Sequence, residues 1–223
     1  MSTLLYKEFR LSMHPICYIF TALFPFFILI PNYPIAIGFI YLLSCYPILF
    51  LGANKGQQSN DLLYTTLLPV RKKDIVLARI ITVLIMQIAF IILMSLLLPI
   101  ASFISNLHHF VNPGLTLNGF VSIIAIAIIG FAIADLIFFP IYYKNGRSIV
   151  MSTLLTILGF ALYLLIFTVA IPYIPGCTPY KEFLCDKGLG IQFGLLATSL
   201  VISFLLHILV YKISSKRLEN VDF

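Results

Sequence analysis

The chain has 223 residues, of which 61% are hydrophobic and 10% are charged, and its mean hydropathy is +1.07. Soluble domains carry about 25% charged and about 45–50% apolar residues. A soluble enzyme of this length cannot hide so much apolar surface, so the composition excludes that class and indicates an integral membrane protein. A helix that crosses a bilayer needs about 20 mostly apolar residues, which leaves room for about six such helices and no folded domain outside the membrane.

The sequence predicts an all-α membrane protein that forms a single transmembrane domain over residues 1–223. Residues 2–13 have one apolar side and are typical of a helix that lies at the membrane interface. A signal peptide is the alternative, but His14 and Pro15 interrupt it and no small-residue cleavage site follows. The six predicted spans cover about residues 16–30, 33–53, 75–104, 115–141, 149–171 and 189–213.

The basic residues predict the orientation. With both termini in the cytoplasm, twelve of the fourteen Lys and Arg residues fall on that side, and only Lys181 and Lys187 fall outside. Short loops rich in Lys and Arg stay in the cytoplasm. The net charge of +6 then reflects topology and contact with membrane lipids, and we expect no nucleic-acid partner.

The polar loop 54–74 joins the second and third spans. Ser59 or Asn60 can cap a short helix there, Pro69 ends it, and Asp74 is positioned to cap the third span. The loop therefore predicts a short amphipathic helix in the cytoplasm, held at both ends by spans. Such a helix could transmit force from a soluble partner, or it could rest on lipid.

Three segments carry motifs of one known family. The run LLPVRKKDIVLAR at residues 67–79 is similar to the "LPVxRxxIVxxK/R" segment that the small type-2 ABC transporter permeases have between the second and third of six spans. FPIYYKNG at residues 139–146 resembles the family's "FPxYxKxG" turn, and SSKRLENVDF at residues 214–223 resembles its "SxKxYxxKDF" ending. Gln57 and Gln58 depart from the pattern, since family members often carry a glutamate early in this loop.

The resemblance implies that the loop helix is a coupling helix that docks on a separate ABC-type ATPase subunit. It also implies a dimer with a second copy or a related permease. The chain has no GxxxxGK[ST] loop, so we expect no enzyme activity and no cofactor of its own, with ATP and Mg on the partner. The implied ATPase contacts are Asn60, Asp61, Leu62, Tyr64 and Thr65, and the implied supports of the loop are Leu67, Leu68, Pro69, Arg71 and Asp74.

The cargo is predicted less directly. The chain most resembles the permeases of phenol-soluble modulin exporters, which implies export of amphipathic or antimicrobial peptides across a bacterial plasma membrane. Its 20 Phe and 12 Tyr residues suit an apolar cargo, but any lipid-facing bundle has such residues. Lipid or drug extrusion, and a non-transporting peptide-immunity or sensor protein, therefore stay as alternatives.

Polar residues within the predicted spans are candidates for a site. Arg79, Asp135 and His207 fall at similar depth near the inner face, and a carboxylate in a membrane needs a partner or a wet cavity. We expect Arg79 to pair with Asp135, either as a structural lock or in a substrate or gating role. Gln87 is predicted to form hydrogen bonds between helices.

The histidines and cysteines predict no metal site. His108 and His109 are adjacent but lack a third ligand at suitable spacing. Cys177 and Cys185 share a predicted outer loop, where a disulfide is one of two open alternatives. The sequence contains no GxSxG or HExxH motif and no pair of intramembrane aspartates, so a protease or lipid-modifying enzyme is not expected.

Overall fold

The computed structural model describes residues 2–12, 15–29, 70–108, 117–145, 149–166 and 189–220. The second predicted span, residues 33–53, and the predicted pair of Cys177 and Cys185 lie outside these ranges. Within them the chain is all-helical, as predicted. The helices are α1 (Ser2–Lys7), α2 (Pro15–Leu23), α3 (Lys72–His108), α4 (Leu117–Asn145), α5 (Ile149–Leu165) and α6 (Leu189–Glu219), with a π-helical turn at Glu8–Ser12 after α1 and a 3-10 segment at Phe24–Leu29 after α2.

Three of the described helices are long and apolar enough to cross a membrane, within Lys72–Leu97, Ile124–Lys144 and Gln192–Glu219. They correspond to the third, fourth and sixth predicted spans. Two further apolar helical stretches, Pro15–Phe26 and Val150–Leu165, are shorter. The total of six spans stays a prediction.

Helix α3 begins earlier and ends later than the sequence predicts. The backbone N–H groups of Asp74 and Ile75 donate to the carbonyl of Arg71 at 2.9 and 3.4 Å, so the helix begins beside Arg71 and not at Asp74. Asp74 lies in the first turn, where a carboxylate stabilises the positive end of the helix dipole. At 37 residues, α3 is about 55 Å long and exceeds the thickness of a bilayer.

Helix α4 is the centre of the described bundle, since it packs against α3, α5 and α6. The pairs Arg79–Tyr142 and Gln87–Asp135 show that α3 and α4 run antiparallel. Helices α4 and α6 run parallel to each other, whereas α4 and α5 run antiparallel. The buried core is built largely on α4, from Phe131, Ala134, Phe138, Phe139, Tyr142 and Tyr143.

Glycine lets α4 and α5 approach closely. A Cβ atom on Gly130 would lie 2.7 Å from the Phe160 ring and 3.1 Å from the Tyr163 ring. The Tyr163 hydroxyl donates to the carbonyl of Ile126 at 2.9 Å, on the same face of α4. Small residues commonly permit such close packing in membrane helices.

Replacing Gly130 with valine is expected to lower the free energy of unfolding by about 1–3 kcal/mol, because the added atoms meet two packed rings. The matched control is Gly194→Val, since a Cβ there meets nothing within 4 Å. Thermal unfolding of both variants in detergent measures the difference. Equal losses for the two variants would contradict this account of the α4–α5 contact.

The basic residues lie at one end of the bundle. Among the described residues, the ends of α3, α4, α5 and α6 that face the other way carry no Lys or Arg. The basic end is formed by the first turn of α3, the last turns of α4 and α6, and the N-terminal segment. Its members are Lys7, Arg10, Arg71, Lys72, Lys73, Lys144, Lys212, Lys216 and Arg217, with Arg79 two turns further in.

Candidate functional site

Three helices each contribute one buried polar side chain to a common centre. Gln87 on α3 donates from Nε2 to Oδ2 of Asp135 on α4 at 3.0 Å. Nε2 of His207 on α6 lies 3.1 Å from the same oxygen. Asp135 is only 1% exposed. We call Gln87, Asp135 and His207 the polar centre. The structure thus places two of the predicted cluster residues, Asp135 and His207, in direct contact.

The third member of that predicted cluster, Arg79, forms its ion pair elsewhere. Its Nε donates to Oε2 of Glu8 at 3.2 Å, and its Nη1 donates to the Tyr142 hydroxyl at 2.9 Å. The guanidinium also lies 5.8 Å from the centre of the Tyr142 ring. The sequence predicted Asp135 as the carboxylate for Arg79. The salt bridge seen here joins Arg79 to Glu8.

Glu8 adds a contact that the prediction for the N-terminal segment did not include. Residues 2–12 are helical, but Glu8 is only 5% exposed and its carboxylate points into the bundle. The segment is therefore anchored to α3 and does not only lie on the membrane surface. A buried cation needs an anion, and the chain has only eight acidic residues, so a search for partners of Arg79 could have included Glu8.

The two polar groups form separate layers. Gln87 follows Arg79 by eight residues on α3, and Tyr142 follows Asp135 by seven on α4, so the layers are about 10–12 Å apart along the helices. The fully buried rings of Phe138 and Phe139 lie between them in the sequence of α4. Each layer therefore needs its own charge balance.

The described residues hold no group of three or more His, Cys, Asp or Glu side chains that could bind a metal. Cys17 is a buried free thiol that packs with Met86 and Phe9. Backbone placement puts His108 at the last position of α3, and His109 lies outside the described residues.

The family model described as "ABC-2 family transporter protein" matches residues 3–218 of the chain. The chain belongs to this ABC-2 transporter family. It is therefore a multi-pass membrane protein and a permease subunit of an ABC exporter, and permeases of the ABC-2 family typically work with an ABC ATPase. Neither a curated protein nor a solved structure matches the chain.

At the basic end of this ABC-2 permease, polar contacts tie the spanning helices together. Lys73 pairs with the Glu219 carboxylate at 3.3 Å, and Lys72 donates to the Glu219 carbonyl at 3.5 Å. Arg217 donates to the carbonyl of Pro140 at 2.6 Å. The ends of α3, α4 and α6 are therefore joined at the basic end, where α3 begins.

Two of the ten predicted coupling residues lie within the described part of the chain. Arg71 is exposed and its carbonyl accepts the first hydrogen bonds of α3, while Asp74 is half-buried in the first turn. The remaining eight, Asn60, Asp61, Leu62, Tyr64, Thr65, Leu67, Leu68 and Pro69, lie outside the described residues.

Proposed function

We propose that this permease pairs with a separate ABC-type ATPase and with a second permease, either a copy of itself or a related chain. The observation that carries this proposal is the family match over residues 3–218. ATP binding and hydrolysis, with Mg, then belong to the partner. This chain contributes no catalytic residue and no cofactor, and its function is an energy-coupled change between two conformations of the permease dimer.

We place the chain in a bacterial plasma membrane with six spans and both termini in the cytoplasm. The clustering of the described basic residues at one end of the bundle supports this orientation, because that end then faces the cytoplasm. The Lys and Arg side chains there would contact anionic lipid headgroups.

The same orientation supports the proposed coupling role of residues 54–69. Val70 and Arg71 lead into α3 at the basic end, so the segment before them enters the bundle from the cytoplasmic side. The contacts among Lys73, Glu219, Arg217 and Pro140 join α3, α4 and α6 there. A displacement of the coupling segment by the ATPase would therefore move three helices together.

The cargo that we propose is an amphipathic or antimicrobial peptide. Support comes from the resemblance of the chain to permeases of phenol-soluble modulin exporters and from its apolar walls. Large apolar side chains are exposed along α5 and α6, including Leu158, Leu162, Phe193 and Phe204. Lipids or apolar drugs would suit the same surfaces, so extrusion of these compounds is the second candidate.

Co-purification and ATP hydrolysis test the proposal. The tagged chain is co-expressed with an ABC-type ATPase from the same genome, and hydrolysis is measured with an amphipathic helical peptide and with a scrambled peptide of the same composition. We expect a stoichiometric complex whose hydrolysis responds only to the amphipathic peptide. Hydrolysis that ignores both peptides would place lipids or drugs first. Failure of the two proteins to associate would overturn the proposed coupling to this ATPase.

A further inference from the structure

The polar centre contains a histidine whose two ring nitrogens both have assigned neighbours. Nδ1 of His207 lies 2.7 Å from the carbonyl oxygen of Ser203, one turn earlier on α6. A carbonyl oxygen only accepts hydrogen bonds, so Nδ1 must carry a proton at this distance. The Ser203 hydroxyl lies farther away, at 3.4 Å. If it donated instead, the lone pair of Nδ1 would face the carbonyl oxygen directly.

The contact of the second ring nitrogen determines how many protons Asp135 and His207 hold between them. Nε2 of His207 lies 3.1 Å from Oδ2 of Asp135. Either an imidazolium donates to a carboxylate, or a carboxylic acid donates to a neutral imidazole. In both arrangements one proton lies between the two atoms and the pair has no net charge. Without it, a nitrogen lone pair would face a buried carboxylate oxygen, which is strongly unfavourable away from water.

We propose that Asp135 and His207 form a binding site for a single proton that holds α6 against α4 within the membrane. Gln87 donates to the same carboxyl oxygen and extends the contact to α3. The bound ligand is the proton itself, shared by Oδ2 and Nε2. This inference concerns the bundle of the permease alone and does not depend on the ATPase or the cargo.

The groups around the polar centre do not titrate near neutral pH, so the proton shared by Asp135 and His207 is the one that we expect to dissociate there. Among the described residues, the other buried charged groups are Arg79 on α3 and Glu8 in the N-terminal segment, which pair with each other in the other layer. The remaining Lys, Arg, Asp and Glu side chains of α3, α4 and α6 lie at the basic end. The remaining titratable groups are phenols and a thiol, which are uncharged at neutral pH. They are Tyr142 and Tyr143 on α4, Tyr163 on α5, Tyr211 on α6, Tyr18 and Cys17 on α2, and Tyr6 on α1.

The site predicts how stability depends on pH. In an unfolded chain above about pH 6.5, an aspartate is ionised and a histidine is neutral, so the two hold no shared proton. The folded pair retains one. Unfolding above that pH therefore releases a proton, and stability falls as the pH rises. For one proton the unfolding constant increases by up to about tenfold per pH unit.

The test unfolds three full-length proteins with denaturing detergent in mixed micelles, where the unfolded chain meets water, between about pH 6.5 and pH 8.5, a range set by the ordinary titration of histidine and thiols. In Asp135→Asn the amide can donate to Nε2 with a proton that does not dissociate, so we expect its unfolding constant to lose the pH dependence. Gln87→Met removes one hydrogen bond but leaves the pair, so we expect lower stability with the wild-type slope. A wild-type slope no steeper than that of Asp135→Asn would overturn the proposal.

A second measurement does not require Asp135→Asn to fold. The chain has four histidines, and replacing His14, His108 and His109 with asparagine leaves His207 as the only one. Nitrogen-15 NMR of the labelled ring should then find a proton on Nδ1 throughout the pH range. A neutral ring with its proton on Nε2 alone, or a ring whose Nε2 has the chemical shift of a nitrogen without a hydrogen-bonded proton, would contradict the site. Neither experiment measures transport, so a failure of the proton-site proposal can be distinguished from a failure of the exporter proposal.

Discussion

Replacing Arg79 with methionine is expected to lower the free energy of unfolding by about 3–5 kcal/mol, the typical cost of leaving one charge of a buried ion pair without its partner. Arg79 and Glu8 are 4% and 5% exposed, and Nε of the guanidinium lies 3.2 Å from the carboxylate. The variant also loses the hydrogen bond to Tyr142. Unfolding by increasing the fraction of denaturing detergent in mixed micelles measures the loss.

Two variants separate the charge effect from the loss of packing. The double variant Glu8→Gln with Arg79→Met should recover part of the lost stability, because no buried charge remains unpaired. Lys73→Met breaks the ion pair of Lys73 with Glu219, in which the two side chains are 53% and 45% exposed. This variant should lower the free energy of unfolding by no more than about 1 kcal/mol. A loss for Arg79→Met as small as that for Lys73→Met would contradict the anchoring of the N-terminal segment.

Replacing Leu62 with aspartate is expected to reduce the ATPase retained on the tagged permease at least about tenfold. An apolar anchor in a desolvated groove is worth about 2 kcal/mol or more, and each 1.4 kcal/mol is a factor of ten in affinity. The measurement is the ratio of ATPase to permease after affinity purification. It tests the proposed ATPase contact at Leu62.

The matched control adds the same charge on the other side of the membrane. Asn112 lies in the loop that the sequence predicts to be outside, and Asn112→Asp should leave the retained ATPase unchanged. Equal recovery of both variants in the membrane fraction excludes a defect of insertion. If Leu62→Asp retains as much ATPase as Asn112→Asp, Leu62 is not part of the contact.

The helices that the sequence predicts well are the long apolar ones, since composition alone marks about 20 residues that a bilayer requires. Their ends were predicted less well. The predicted sixth span ends at residue 213, before the charged tail that begins at Lys216, but α6 continues to Glu219, and Arg217 and Glu219 have partners on α4 and α3. The predicted third span began after the charged run at residues 71–74 and ended at residue 104, before the polar residues Ser105 and Asn106, whereas the helix runs Lys72–His108.

The sequence predicted how deep the residues of the candidate site lie in the membrane, but it did not predict which residues they contact. Counting along the spans placed Asp135 and His207 at one level, and the structure joins them. The partner of Arg79 could not be read in this way, because Glu8 is 71 residues earlier in a segment that the sequence assigned to the membrane surface. Helices that are apolar on all sides also do not reveal which face meets a neighbour.

The most direct test of the exporter account is ATP-dependent uptake of an amphipathic peptide by inside-out vesicles that contain the permease and its ATPase. The account predicts that the peptide accumulates inside the vesicles only with hydrolysable ATP, and that Leu62→Asp abolishes this accumulation. Vesicles in which the intact complex hydrolyses ATP without accumulating peptide, lipid or drug would contradict it.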